Sequence, residues 1–242
     1  MTLKRSNDRK TTNMSNARGD QSKIKNAFGL PAGKDFSCVG ETATCGAVCY
    51  GKRIENYLPS VRRLLQHNWD LLRTAEQDEM FYLLRDMIAD FVRECEKHGA
   101  PKMFRIHWDG DFFSQEYTIA WSIVIGIFED VQFWAYTRNG EAAKHLAIMD
   151  HDNLGLYFSM DRDNADLAHD LRTRFPNLKV ATLADTFEEA RDLHMDALGA
   201  RVGKCPEVAG RIPLITTDGG ACKTCALCPS GKTDITFAIS GR

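Results

Sequence analysis

An α/β fold is predicted, in the form of an incomplete (β/α) TIM-like barrel with mainly parallel strands and irregular cysteine-bearing N- and C-terminal segments. Three features of the sequence predict it. Short apolar runs alternate with helical patterns after Gly99, the middle runs recur roughly every 23 to 29 residues, and seven of the eight cysteines stand in two groups towards the chain ends. Strand, helix, strand in short steps is the pattern of parallel strands joined by right-handed crossovers. Five or six such units are too few for an eight-fold barrel, hence the incomplete form.

Residues 1–25 read as a basic polar tail and 26–242 as a single iron-sulfur (β/α) barrel domain. The tail sets Lys4, Arg5, Arg9, Lys10, Arg18, Lys23 and Lys25 against Asp8 and Asp20 and has few large apolar side chains, so it cannot fold alone. A solvated tail, or one that packs along the surface, is the favoured reading, and its charge offers a contact for nucleic acid or a host protein as the alternative. From Asn26 to Lys34, glycines and Pro31 favour an irregular loop. A helix is expected over 58–73, with Pro59 in its first turn, where a missing N–H costs nothing. A second is expected over 78–97, where Met80, Leu84, Met87, Ile88, Phe91, Val92 and Cys95 recur at helical spacing before Gly99. Cys95 on that stripe reads as a small buried hydrophobe.

Strands are expected at 103–106, 131–136, 154–158, 178–183, 200–202 and 235–239. Ser114 can cap a helix after the first of these, and further helices start near Glu141, Asp163 and Thr186. Thr186 and Glu189 stand at capping-box spacing, and Gly199 falls just past that helix. The stretch 119–128 is rich in β-branched residues and reads equally as a strand.

The formal charge of -2 argues against a wholly basic nucleic-acid coat, and no apolar run approaches the length of a membrane span. No signal region precedes the cysteines, so they do not read as a secreted disulfide framework; a reducing cytosol is expected, where clustered cysteines are metal ligands. Cys222, Cys225 and Cys228 run C-x2-C-x2-C before Pro229, a spacing that turns successive thiolates towards one inorganic centre. No cysteine follows, so Cys205, in Lys204-Cys205-Pro206, is the natural fourth ligand. The second group, Cys38, Cys45 and Cys49, runs C-x6-C-x3-C. Three thiolates on one loop can hold three corners of a 4Fe-4S cluster and leave one iron open, as in radical S-adenosylmethionine enzymes, whose usual spacing is C-x3-C-x2-C. Zinc is the alternative metal, though four-cysteine zinc sites usually come as two separated pairs. Seven cysteines can make one four-ligand and one three-ligand cluster or converge on a single centre. One cluster is favoured, because a small barrel mouth has limited room.

Ligands of parallel α/β folds bind at the carboxyl ends of the strands. That rule singles out His107, Asp109 and Asp111 after the first strand, Thr137 and Arg138 after the second, Ser159, Asp161 and Arg162 after the third, and Asp185 after the fourth. Catalytic candidates are His107, Asp109, Asp111, Arg138 and Asp161, and a cluster ligated by Cys205 is expected beside them at the barrel mouth. The structural alternatives are an ion pair from Arg138 to Asp109 or Asp111, and helix capping by Asp161 or Asp163.

Asn26-Ala27-Phe28-Gly29-Leu30-Pro31, Cys49-Tyr50, Gly110-Asp111-Phe112, Tyr136-Thr137-Arg138, Cys205-Pro206 and the run from Cys222 to Cys228 together resemble the gene product 88 family of bacteriophage and prophage proteins. The resemblance implies an iron-sulfur protein with a radical-SAM-like partial barrel. Two functions follow as expectations: redox or radical chemistry at the barrel mouth with S-adenosylmethionine as a co-substrate, or a non-catalytic iron-sulfur module that binds nucleic acid or a host protein.

Overall fold

In the computed structural model, residues 1–11, 24–217 and 219–240 are described. Strands β1 (Met103–Ile106), β2 (Gln132–Thr137), β3 (Leu154–Met160) and β4 (Lys179–Ala184) form in sequence, each parallel to the last. The final strand, β8 (Ile235–Ala238), pairs parallel to β4 and to β5 (Gly203–Lys204), giving the order β1-β2-β3-β4-β8-β5. A separate two-stranded antiparallel pair joins β6 (Ile215–Thr216) to β7 (Gly219–Gly220).

The six-stranded sheet is parallel, as expected, and it does not close. Only four βα units carry full strands; the fifth strand has two residues, at 203–204 rather than 200–202, and β8 inserts between it and β4. The exposed side of β1 is covered instead. Phe28 donates its N–H to the Arg105 carbonyl at 3.0 Å, Arg105 donates to Asn26, and Ser6 pairs with Ala27 outside that. An open edge is thereby capped by the chain's own N-terminal segments.

Strand alternation decides which face buries what. Phe104, Ile106, Phe133, Ala135, Leu156, Phe158 and Val180 face helices α3 (Pro59–Leu72), α4 (Gln77–His98), α5 (Gln115–Ile127), α6 (Gly140–Met149) and α7 (Ala165–Arg174), and form the main core. Met103, Trp134, Tyr136, Tyr157, Ala181, Ile235 and Phe237 point to the opposite face. The stretch 119–128 is helical, not a strand. Tyr117, Ala120, Trp121, Val124 and Ile125 are fully buried, so α5 packs on the core despite its β-branched residues, and Ser114 caps it. Helix α8 (Phe187–Leu198) opens on the Thr186–Glu189 capping box and ends at Gly199 with φ 63°.

The first cysteine region is more ordered than a loop. It holds helices α1 (Ala43–Val48) and α2 (Tyr50–Tyr57). Two short helices, α9 (Ala221–Cys225) and α10 (Leu227–Ser230), carry the C-terminal cysteines and lie against the sheet face opposite the main helices. Residues 1–11 dock onto the body: Leu3 and Thr11 are buried, and the 3-10 turn Arg9–Thr11 packs on α9. Arg18 and Lys23 lie outside the described residues.

Candidate functional site

At the carboxyl ends of β1, β2 and β3 the structure gathers Asp109, Asp111, Arg138 and Asp161 beside Cys38, Cys45 and Cys49. Thr42 caps α1 by accepting the Cys45 N–H at 3.0 Å, and its hydroxyl donates to Asp161 Oδ2 at 2.6 Å. Arg138 Nη1 meets the same oxygen at 2.5 Å. Asp163 Oδ2 accepts the Thr44 N–H at 2.7 Å, so it caps α1 rather than the helix that follows it. Cys45 is thus held beside a buried Arg138–Asp161 pair. The structural alternative for Arg138 was an ion pair with Asp109 or Asp111; instead Asp111 accepts backbone N–H groups from Arg138 at 2.8 Å and Phe112 at 2.7 Å, and the guanidinium pairs with Asp161.

Cys49 caps α2, its sulfur accepting the Lys52 N–H at 3.5 Å, while Lys52 Nζ reaches Glu41 at 2.6 Å. Gly51 is required there, because a Cβ would overlap the Asp109 carboxylate; Gly40 likewise lets the Cys38 turn press on the Arg138 carbonyl. Burial pushes the Asp109 carboxyl up to about 7, with Glu55 adding to the effect. Two buried carboxylate oxygens beside α1 and α2, Asp109 Oδ2 and Glu41 Oε2, have no partner among the described residues.

His107 is turned away from this group. Its ring lies among Phe28, Phe112, Tyr117 and Trp121, with Nε2 2.9 Å from the Tyr117 hydroxyl. Arg162 touches Thr44, and Ser159 contributes its carbonyl to Asn164. Asp185 contributes its carbonyl to Ser240.

The C-terminal quartet occupies a different neighbourhood. Cys228 is buried against Trp134, Tyr157, Ala181 and Ile235, with Cys205, Cys222 and Tyr136 beside it. Cys228 lies within electrostatic reach of Cys205 and Cys225, and Cys222 within reach of Cys228. The quartet therefore sits on the sheet face over Tyr136, not beside the strand-end polar groups where a cluster ligated by Cys205 was expected. Gly155 explains the placement: with no Cβ, it lets the Cys228 carbonyl come down on β3, while Gln132 Nε2 donates to the Pro229 carbonyl at 2.8 Å.

Arg105 and Tyr50 stand between the two cysteine groups. The Arg105 guanidinium pairs with Asp8 at 2.5 Å, lies over the Tyr136 ring at 5.8 Å, and is close enough to Cys222 to favour its thiolate. The Tyr50 hydroxyl bonds the Trp108 carbonyl and lies 3.4 Å from Arg105 Nη2. Sequence reasoning missed both, although Arg105 was legible as the one charged residue in an apolar strand, and Tyr50 as the neighbour of Cys49. Burial raises the Cys38 and Cys222 thiols to about 12 and Cys228 to about 11, and Cys45 and Cys205 also rise. Among the described residues no three His, Cys, Asp or Glu side chains are close enough together to hold a single metal ion.

The model of the gene product 88 family matches residues 1–231. The chain belongs to the gene product 88 family. The Gene 88 protein of Mycobacterium phage D29 is 45% identical over 242 residues, covering 98% of each chain, and that of Mycobacterium phage L5 is 44% identical over 241 residues with the same coverage. No solved structure matches. Among the described residues of this gene product 88 protein, no helix is long and apolar enough to cross a membrane.

Proposed function

We propose that this phage gene product is an iron-sulfur protein of the host cytosol. In this reading Cys205, Cys222, Cys225 and Cys228 hold one 4Fe-4S cluster, Cys38, Cys45 and Cys49 hold a second with one iron open, and the open sheet serves as a radical-SAM-like partial barrel. The observation that carries the reading is the division of seven cysteines into two neighbourhoods, four on the sheet face and three at the strand ends, with Cys95 buried apart. The chemistry of the donors agrees. Thiols raised to about 11 or 12 by burial stay protonated near neutral pH unless a cation ionises them, which a coordinated metal does outright.

With an open iron, such a cluster supplies single electrons to a bound ligand of the S-adenosylmethionine class. The chain's own part is to bind and orient that ligand. Asp109 Oδ2 and Glu41 Oε2, which lack a partner among the described residues, can accept from an ammonium or hydroxyl group. The Arg138–Asp161 pair fixes α1 and with it Cys45. The test is the electron paramagnetic resonance spectrum of the reduced, iron-loaded protein with and without S-adenosylmethionine. The expected result is a signal that changes on addition; an unchanged signal contradicts the open iron.

A further inference from the structure

We propose that the elbow between α2 and α3 is a docking surface for single-stranded nucleic acid, built from Arg53, Tyr57, Arg62 and Arg63. Arg53 and Tyr57 are one turn apart on α2 and share a face, and both are exposed, Tyr57 to 80%. Arg62 and Arg63 follow in the early turns of α3 and are exposed as well. None of the three arginines is in an ion pair among the described residues, in contrast to Lys52, which is held by Glu41, and Arg73, which is held by Asp70. Glu55, the carboxylate on the same helix, accepts the Ala32 N–H at 2.9 Å and lies within electrostatic reach of Arg62 without forming an ion pair with it.

Three unpaired guanidiniums are suited to phosphate oxygens, which they grip in pairs. An exposed tyrosine among them supplies a flat face on which an unpaired base can stack, and this combination of cationic track and aromatic platform is how single strands are bound without sequence preference. Charge placement elsewhere favours this site. The chain is formally -2, so a polyanion needs a local patch, and two cations of the N-terminal segment are already neutralised: Arg5 by Glu94 at 2.9 Å and Lys10 by Glu207 at 2.6 Å. The elbow also lies near the strand-end site, since α2 starts next to Cys49 and its 8 residues span only about 12 Å. The inference does not depend on whether the cysteines hold iron.

The experiment uses the full chain and a labelled oligothymidylate of about 20 nucleotides, long enough to exceed one binding site. Three phosphate contacts give a slope of roughly -2 in log affinity against log salt, so binding is expected to weaken about twentyfold between about 50 and about 200 mM salt. The Arg53→Ala, Arg62→Ala, Arg63→Ala triple variant is expected to lose most of the affinity and nearly all of that slope. Tyr57→Ala is expected to weaken binding at least about fivefold and keep the slope. All four side chains are exposed, so melting temperatures of the variants serve as the folding control. Unchanged binding by the triple variant overturns the proposal. So does equal affinity for duplex DNA of the same length, for polyglutamate or for anionic vesicles, or no binding of the oligonucleotide at low salt.

Discussion

His107 has a left-handed backbone, φ 56°, which is uncommon outside glycine and asparagine. Strand alternation would send its ring to the face opposite Ile106, but the left-handed turn returns it to the helix side, among Tyr117 and Trp121. No residue pattern announces such a turn, which is why position 107 reads from the sequence as a strand-end catalytic candidate. Burial lowers the imidazole pKa to about 3. In the unfolded chain it takes a proton below about 6.5, so between these values the unfolded state holds more protons and stability rises with pH. This group alone contributes a slope of up to about 1.4 kcal/mol per pH unit in that window. His107→Asn keeps the left-handed backbone and removes the titration, so urea unfolding at mildly acidic and neutral pH is expected to give a flatter dependence than wild type. An unchanged slope would place the acid sensitivity elsewhere.

At the scale of elements, the regular βα units were legible because each signal was local. The first strand lies at 103–106 as expected, Ser114 and Thr186 cap their helices, and Gly99 and Gly199 end theirs in left-handed conformations. Helices α1 and α2 were not legible: α1 is six residues with no buried side chain and is held by Asp161 and Asp163, distant in sequence, while α2 spaces Tyr50, Ile54 and Tyr57 at helical intervals over only eight residues. The place of β8 also depends on a distant contact. Asp234 accepts from Arg172 Nη1 at 2.9 Å and from the Val180 N–H at 2.9 Å, which sets β8 beside β4. Its pKa is held below the ordinary value because these bonds, with His194, outweigh burial. A depressed carboxyl pKa means its stabilisation is complete above about 4 and is lost as pH falls through the lower folded value. Asp234→Ala is therefore expected to cost about 2 to 3 kcal/mol near neutral pH, with the gap to wild type closing in acid. Gly155→Ala places a Cβ against the Cys228 carbonyl and is expected to lift α10. A lower melting temperature and faster alkylation of Cys228 in the metal-free protein would show it, and wild-type rates would not fit the close approach.

Across the whole molecule, the main helices and the cysteine quartet take opposite faces of one open parallel sheet, while the trio sits at its carboxyl edge. The cysteine spacing made the two groups legible as groups, but the distance between them depends on where α9 and α10 dock. That docking rests on Gly155, Gln132 and the N-terminal turn, none of which carries a motif. The central claim is that the two neighbourhoods are two iron-sulfur centres. Iron and acid-labile sulfide per chain, measured on protein purified without oxygen, test it most directly. Wild type is expected to hold about eight of each, and the Cys222→Ser, Cys225→Ser variant about four, with Cys95→Ser unchanged from wild type. About four iron atoms in wild type, one zinc without sulfide, or full iron in the double variant would contradict the two-centre account.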